Sequence, residues 1–142
     1  MAAPDFYFAI NATFRYFYRT YGEAGLIAYW EALGDEYFDS LSQRFREGGL
    51  DAVEEYWRDF FAAEPGGEVD VVRHGDRVEI LVLECPAIHH LRRHGREVMP
   101  LYCRHCFHVS SVIARKAGLG FQLQGGDGRC LQTFYGIRDA GS

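Results

Sequence analysis

The chain has 142 residues and a mass of 16.2 kDa, with 48% hydrophobic side chains, 25% charged side chains and a formal net charge of -5. That length sustains one hydrophobic core more readily than two, and the composition excludes a disordered tail or a fibrous repeat. The acidic total argues against a general nucleic-acid binder, and no run of about 18 apolar residues is present to span a membrane.

Asp5 comes early and no basic stretch precedes an apolar run, so the start does not read as a secretory signal and a cytoplasmic chain is expected. Aromatic residues make up 15% of the chain, an apolar surplus that a ligand cavity or a homodimer interface could absorb. Charge is unevenly spread. Residues 1–67 hold 12 Asp/Glu against 5 Arg, whereas residues 87–118 hold 5 Arg and 1 Lys against one Glu, together with five of the six histidines. The second half therefore offers an anion-friendly surface, unless its arginines are merely solvated.

The chain is expected to form a single domain, 1–142, with a helical part over 1–64 and a sheet- and cysteine-bearing part over 68–137. After Asp5, the apolar set Phe6, Ile10, Phe14, Phe17 and Tyr21 recurs at intervals of three and four, which predicts a helix that Gly22 ends. A second helix carries Leu26, Trp30, Leu33 and Tyr37, with Gly34 a weak point in it. Gly48 and Gly49 punctuate the chain, and Asp51 can cap a third helix bearing Val53, Trp57, Phe60 and Phe61.

The period then changes to two. Glu68–Arg73 and Arg77–Glu84 flank His74-Gly75-Asp76 and predict a hairpin that Pro86 terminates. A short helix or irregular stretch over Ala87–His94 stops at Gly95. Pro100 then precedes a helix over roughly Tyr102–Ala117, with Gly118 as its exit. Strands at Gly120–Leu123 and Arg129–Ile137 enclose the turn Gly125-Gly126-Asp127-Gly128. The expected fold is α+β: N-terminal helices packed on an antiparallel sheet of about four strands, drawn as a meander, with a helix between the two hairpins.

The four cysteines, Cys85, Cys103, Cys106 and Cys130, all lie in the last 60 residues. Cys85 stands at a strand end, Cys103 and Cys106 share one face near a helix start, and Cys130 follows the glycine-rich turn. A sheet that gathers these ends would offer four thiolates to a soft divalent metal, zinc first and iron second. Small buried thiols, or a redox or nucleophilic thiol, are the competing readings. Cys103 is the better nucleophile, because unpaired N–H groups of a first helical turn, with Arg104 and His105, favour its thiolate.

Glu84 and His108 are candidate proton carriers, although strand alternation turns Glu84 away from Cys85 and His108 falls on the polar side of its helix. His89, His90 and His94 stand among Arg92, Arg93 and Arg96, which reads first as solvated surface and otherwise as a setting that suits an anion or carboxylate better than a cation. Tyr7, Tyr16, Tyr18 and Tyr29 place hydroxyls near apolar walls, as a small-ligand pocket requires, though core packing explains the rings equally well. Asp127 is expected to stabilise its turn.

The segments ECPAIHHLRRHG, MPLYCRHCF and GLGFQLQGGDGRCLQTF together resemble the L-2-amino-thiazoline-4-carboxylic acid hydrolase-like family. The resemblance implies a helical N-terminal region, a Cys-Pro at a strand end (Cys85-Pro86), a cysteine at a helix start (Cys103) and a glycine-rich turn leading to another cysteine (Cys130). It departs at Cys106, where the family pattern has an Asp. It implies a small-molecule hydrolase acting on a C–N bond of a cyclic amidine or thiazoline-type carboxylate, at a site built from cysteines with or without metal. The rival reading is a zinc-stabilised domain that binds or senses a small ligand. Either way, a small, anionic partner molecule is expected.

Overall fold

A computed structural model describes residues 5–64 and 66–137. Helix α1, Phe6–Ala32, is interrupted where Gly22 takes φ 76° and ψ -175°, so the predicted stop is a sharp break between two helical pieces. Glycine adopts that conformation without the clash a Cβ would bring. The second piece buries Leu26 and Trp30 completely and runs into one π-helical turn, Leu33–Tyr37. The weak point foreseen at Gly34 has a packing cause: a Cβ there would lie 2.7 Å from the Val109 carbonyl oxygen and 2.8 Å from Val112. Helix α2, Asp39–Ala63, breaks in the same way at Gly49, φ 62°. Asp51 does not cap its second piece but takes the Arg73 guanidinium at 2.6 Å, tying the helix to the first strand.

Strands β1, Glu68–Arg73, and β2, Arg77–Glu84, form the predicted hairpin. Helix α3, Pro86–Arg93, starts with Pro86 in its first turn, where a missing N–H costs nothing. A 3₁₀ turn, Tyr102–Arg104, leads into α4, His105–Lys116. Strands β3, Leu119–Gly126, and β4, Arg129–Gly136, are joined by a tighter turn than expected. Asp127 and Gly128 both have positive φ, 56° and 94°, the pattern of a two-residue hairpin turn whose twist matches its strands.

The sheet is antiparallel throughout, in the order β1-β2-β4-β3, and so is not a simple meander. The two strands with the most strongly buried alternate residues take the centre: Val78, Ile80 and Val82 on β2, Gln132 and Phe134 on β4. The pairing fixes three inward rows. Arg73, Val78, Phe134 and Phe121 form one; Val71, Ile80, Gln132 and Leu123 the next; Val69, Val82, Cys130 and Gly125 the last. On the outer face Val72 and Leu81 remain 42% and 38% exposed, as an antiparallel sheet open to solvent on one side permits.

The helices and the inner face share one core, in which Trp30, Phe45, Phe134, Ile80 and Leu91 are fully buried. Buried Asn11 fastens the long connection to α1: its amide donates to the Glu97 carbonyl at 2.8 Å and its oxygen accepts the Met99 N–H at 3.0 Å. Among the described residues no helix is long and apolar enough to cross a membrane.

Candidate functional site

The helical layer does not cover the inner sheet face evenly. At the row of Val82 and Cys130 it leaves a cavity of ≈ 490 Å³. Its floor is Val82, Cys130, Gln132 and Leu123; α1 contributes Tyr7, Ile10 and Phe14, and α4 contributes Ser110 and Ile113. The far wall is the aromatic end of α2, where Tyr56, Trp57, Phe60 and Phe61 pack on one another. At the opposite end the Cys85 N–H donates to the Gly128 carbonyl at 2.9 Å, so the close of β2 and the β3–β4 turn meet there. None of the described residues lining the cavity is Asp, Glu, Lys or Arg.

All four cysteines are free and half-buried, and all four line this cavity. To that extent the sheet gathers the strand ends as the spacing implied. Burial pushes the Cys85 thiol up to about 12 and those of Cys106 and Cys130 up to about 11. Cys103 is also raised by burial, with the Gly128 and Asp127 backbone partly opposing it. Of the protonated thiols, that of Cys106 has a partner. Desolvation lowers the pKa of half-buried His105, and its Nδ1 donates to the Tyr102 carbonyl. That leaves Nε2 to accept from the Cys106 thiol at 3.6 Å; the Gln132 amide donates to Cys130 Sγ at 3.5 Å, a bond that favours the thiolate and partly opposes the effect of burial.

Burial thus favours the neutral thiols, but it is the placement of the side chains that overturns the metal expectation. Among the described residues no group of three or more Cys, His, Asp or Glu is placed to hold a metal ion. The set Cys85, Cys103, Cys106 and Cys130 is therefore not a zinc or iron centre, and both the cysteine-built hydrolase and the zinc-stabilised domain lose their basis. Sharing a cavity wall demands only that side chains face one volume. Ligation demands that sulfurs converge within about 2.3 Å of one point as thiolates.

The proposed catalytic residues do not converge either. Cys103 lies in the 3₁₀ turn ahead of α4, not in the first turn of an α-helix, and its burial opposes the thiolate. Arg104 turns away to Glu23 at 3.3 Å. Glu84 is exposed and pairs with His89, outside the cavity. His108 stacks on Trp30, with centroids 5.7 Å apart, and is also outside. His90 and His94 pack with Phe8, and Arg92 pairs with Asp127.

Of the four tyrosines named from sequence, Tyr7 and Tyr29 line the cavity; Tyr16 and Tyr18 face solvent. Tyr102 was not foreseen. Its ring is 2% exposed and forms part of the wall, and no hydrogen bond from its hydroxyl is found among the described residues. Burial and the adjacent Cys85 and Cys106 hold that hydroxyl protonated. Tyr7, by contrast, donates to the Glu64 carboxylate at 2.7 Å, joining the start of α1 to the end of α2. Gln132 was legible in principle, since it shares strand parity with Cys130 and Phe134.

No protein family, no curated protein and no solved structure matches the chain, so the reading of the site rests on its geometry alone.

Proposed function

We propose that the protein is a binding module for a small, uncharged and mainly apolar molecule carrying one hydrogen-bonding group. The observation that carries this reading is the ≈ 490 Å³ cavity itself. Its size falls within the roughly 300–1,000 Å³ range of ligand sites, and its apolar walls with a few polar groups follow the usual pattern of such sites. The aromatic end of α2 suits the body of the ligand. Tyr102, with its unpartnered hydroxyl, suits the polar group. Without Lys or Arg in the wall, an anion would lose its hydration with nothing to replace it, so the expected anionic ligand does not belong here.

Titration with 2-naphthol and with 2-naphthoate tests this, because the two differ mainly in charge. The proposal predicts saturable 1:1 binding of the naphthol and binding at least about tenfold weaker for the carboxylate. Tyr102→Phe should weaken the naphthol about two- to tenfold, the worth of one neutral hydrogen bond. Equal or tighter binding of the naphthoate, or no saturable binding of the naphthol, would overturn the reading.

A further inference from the structure

Helix α1 has a second working face. Phe8, Asn11, Ala12, Arg15 and Arg19 recur at intervals of one helical turn and, with Leu91 and the connection at Arg96 and Glu97, enclose a separate recess of ≈ 190 Å³. Three guanidinium groups border it. Arg15 Nη2 donates to the Glu97 carbonyl at 2.7 Å, which holds that side chain at the edge of the recess. The Arg96 guanidinium carbon sits 4.4 Å from the centre of the Phe8 ring, a cation–π contact that orients it. Asn11 fastens the same stretch of backbone from below through its bonds to Glu97 and Met99. The recess thus has a buried base, Asn11 and Leu91, and an exposed rim that carries Arg19 and Arg96.

Its charge is left unbalanced. Among the described residues no carboxylate lies within 4 Å of Arg15, Arg19 or Arg96, although ion pairs to Arg58, Arg73, Arg92 and Arg104 are present elsewhere. Glu97 supplies the one carboxylate among the lining residues, and it is exposed and unpaired with the three arginines. Arg15 and Arg19 are four residues apart on one helix, a like-charge spacing that destabilises a bare helix. An oxyanion between them would convert that repulsion into attraction.

We infer that this recess binds a small oxyanion of the phosphate class. The planar donor fork of arginine matches the oxygens of such a group, and the volume of ≈ 190 Å³ admits it. The site is distinct from the uncharged cavity on the other side of α1. The sequence left anion recognition near Arg92, Arg93 and Arg96 as an alternative to plain solvated surface; the fold brings Arg96 into the site, pairs Arg92 with Asp127, and adds Arg15 and Arg19 from the other end of the chain.

The test is a two-dimensional amide NMR titration of the full chain with inorganic phosphate and, separately, phenyl phosphate, at constant ionic strength maintained with chloride. Saturable shifts are expected at Ala12, Arg15, Arg19, Arg96 and Glu97, with the Cys130 and Gln132 amides unmoved. Tighter binding of phenyl phosphate would identify an esterified phosphate as the ligand, and equal binding the free ion. Arg19→Gln and Arg96→Gln, both at exposed positions, should each weaken the response about tenfold or more, the loss of one charge-assisted hydrogen bond. Shifts that fail to saturate, that chloride reproduces, or that survive both substitutions would overturn the inference.

Discussion

The two ends of the inner sheet face have opposite fates. At the row of Val78 and Phe134 the helices press large rings onto the sheet: Phe45 meets Phe134 edge-on at 6.0 Å, and Trp57 and Phe121 close around it. At the row of Val82 and Cys130 the small residues Ala87, Pro86, Ser110 and Gly128 stand beside the rings of Tyr7, Phe14 and Tyr102, and the volume stays open. One face of one sheet thus carries both a packed core and a cavity, with Trp57 at the boundary between them. The cavity is enclosed by the strand ends on one side and by aromatic rings of α1 and α2 on the other, and the thiols are part of its wall.

The difference is sharpest in stability. Phe134→Ala removes a fully buried ring from the packed end and should cost about 3–5 kcal/mol, read from urea unfolding. Cys130→Ala, beside the open volume, should cost about 1 kcal/mol or less. Similar losses at both positions would erase the distinction.

Alkali probes the same end. The Cys85 thiol is raised from 9.0 to about 12 by burial, so the folded state holds its proton more tightly than the unfolded chain. The stability this contributes is complete below about pH 9 and is lost as the pH climbs through about 12. Between those limits the slope for this group approaches ~1.4 kcal/mol per pH unit. Unfolding of the native chain and of Cys85→Ala, compared from pH 8 to 11, should show the native chain losing stability faster. Parallel pH profiles would refute the neutral-thiol assignment.

Filling the cavity tests the volume itself. Val82→Phe has room and should change stability by less than about 1 kcal/mol, whereas Val78→Phe at the packed end should cost about 1–3 kcal/mol. Val82→Phe should also abolish 2-naphthol binding. The smallest effect concerns metal: exhaustive chelation should leave the melting temperature unchanged, and a fall on chelation, reversed by zinc, would restore the metal centre.

Much of this architecture was legible in the chain. The apolar periods located the helices, Gly22 and Gly49 marked real breaks, and the two hairpins followed from alternation and turn residues. The strand order was not, because nothing local says which edge β3 takes after α3 and α4. Convergence of the cysteines on one cavity was likewise readable from their positions at strand and helix ends. Their failure to form a metal site was not, since ligation turns on sulfur placement at a scale that spacing does not resolve. Glu84 and His108 illustrate the same limit: each stands near a cysteine in sequence, yet one turns to His89 and the other to Trp30. Nothing in the sequence singled out Tyr102, because only the packing around it sets its hydroxyl apart.

A crystal soaked in 2-naphthol offers the most direct measurement. The account predicts density for one molecule inside the cavity, its rings against Trp57 and Phe60 and its hydroxyl within hydrogen-bonding reach of Tyr102. An ordered metal ion among the four sulfurs, or side chains filling the space above Val82 and Cys130 and leaving no room for the ligand, would contradict it.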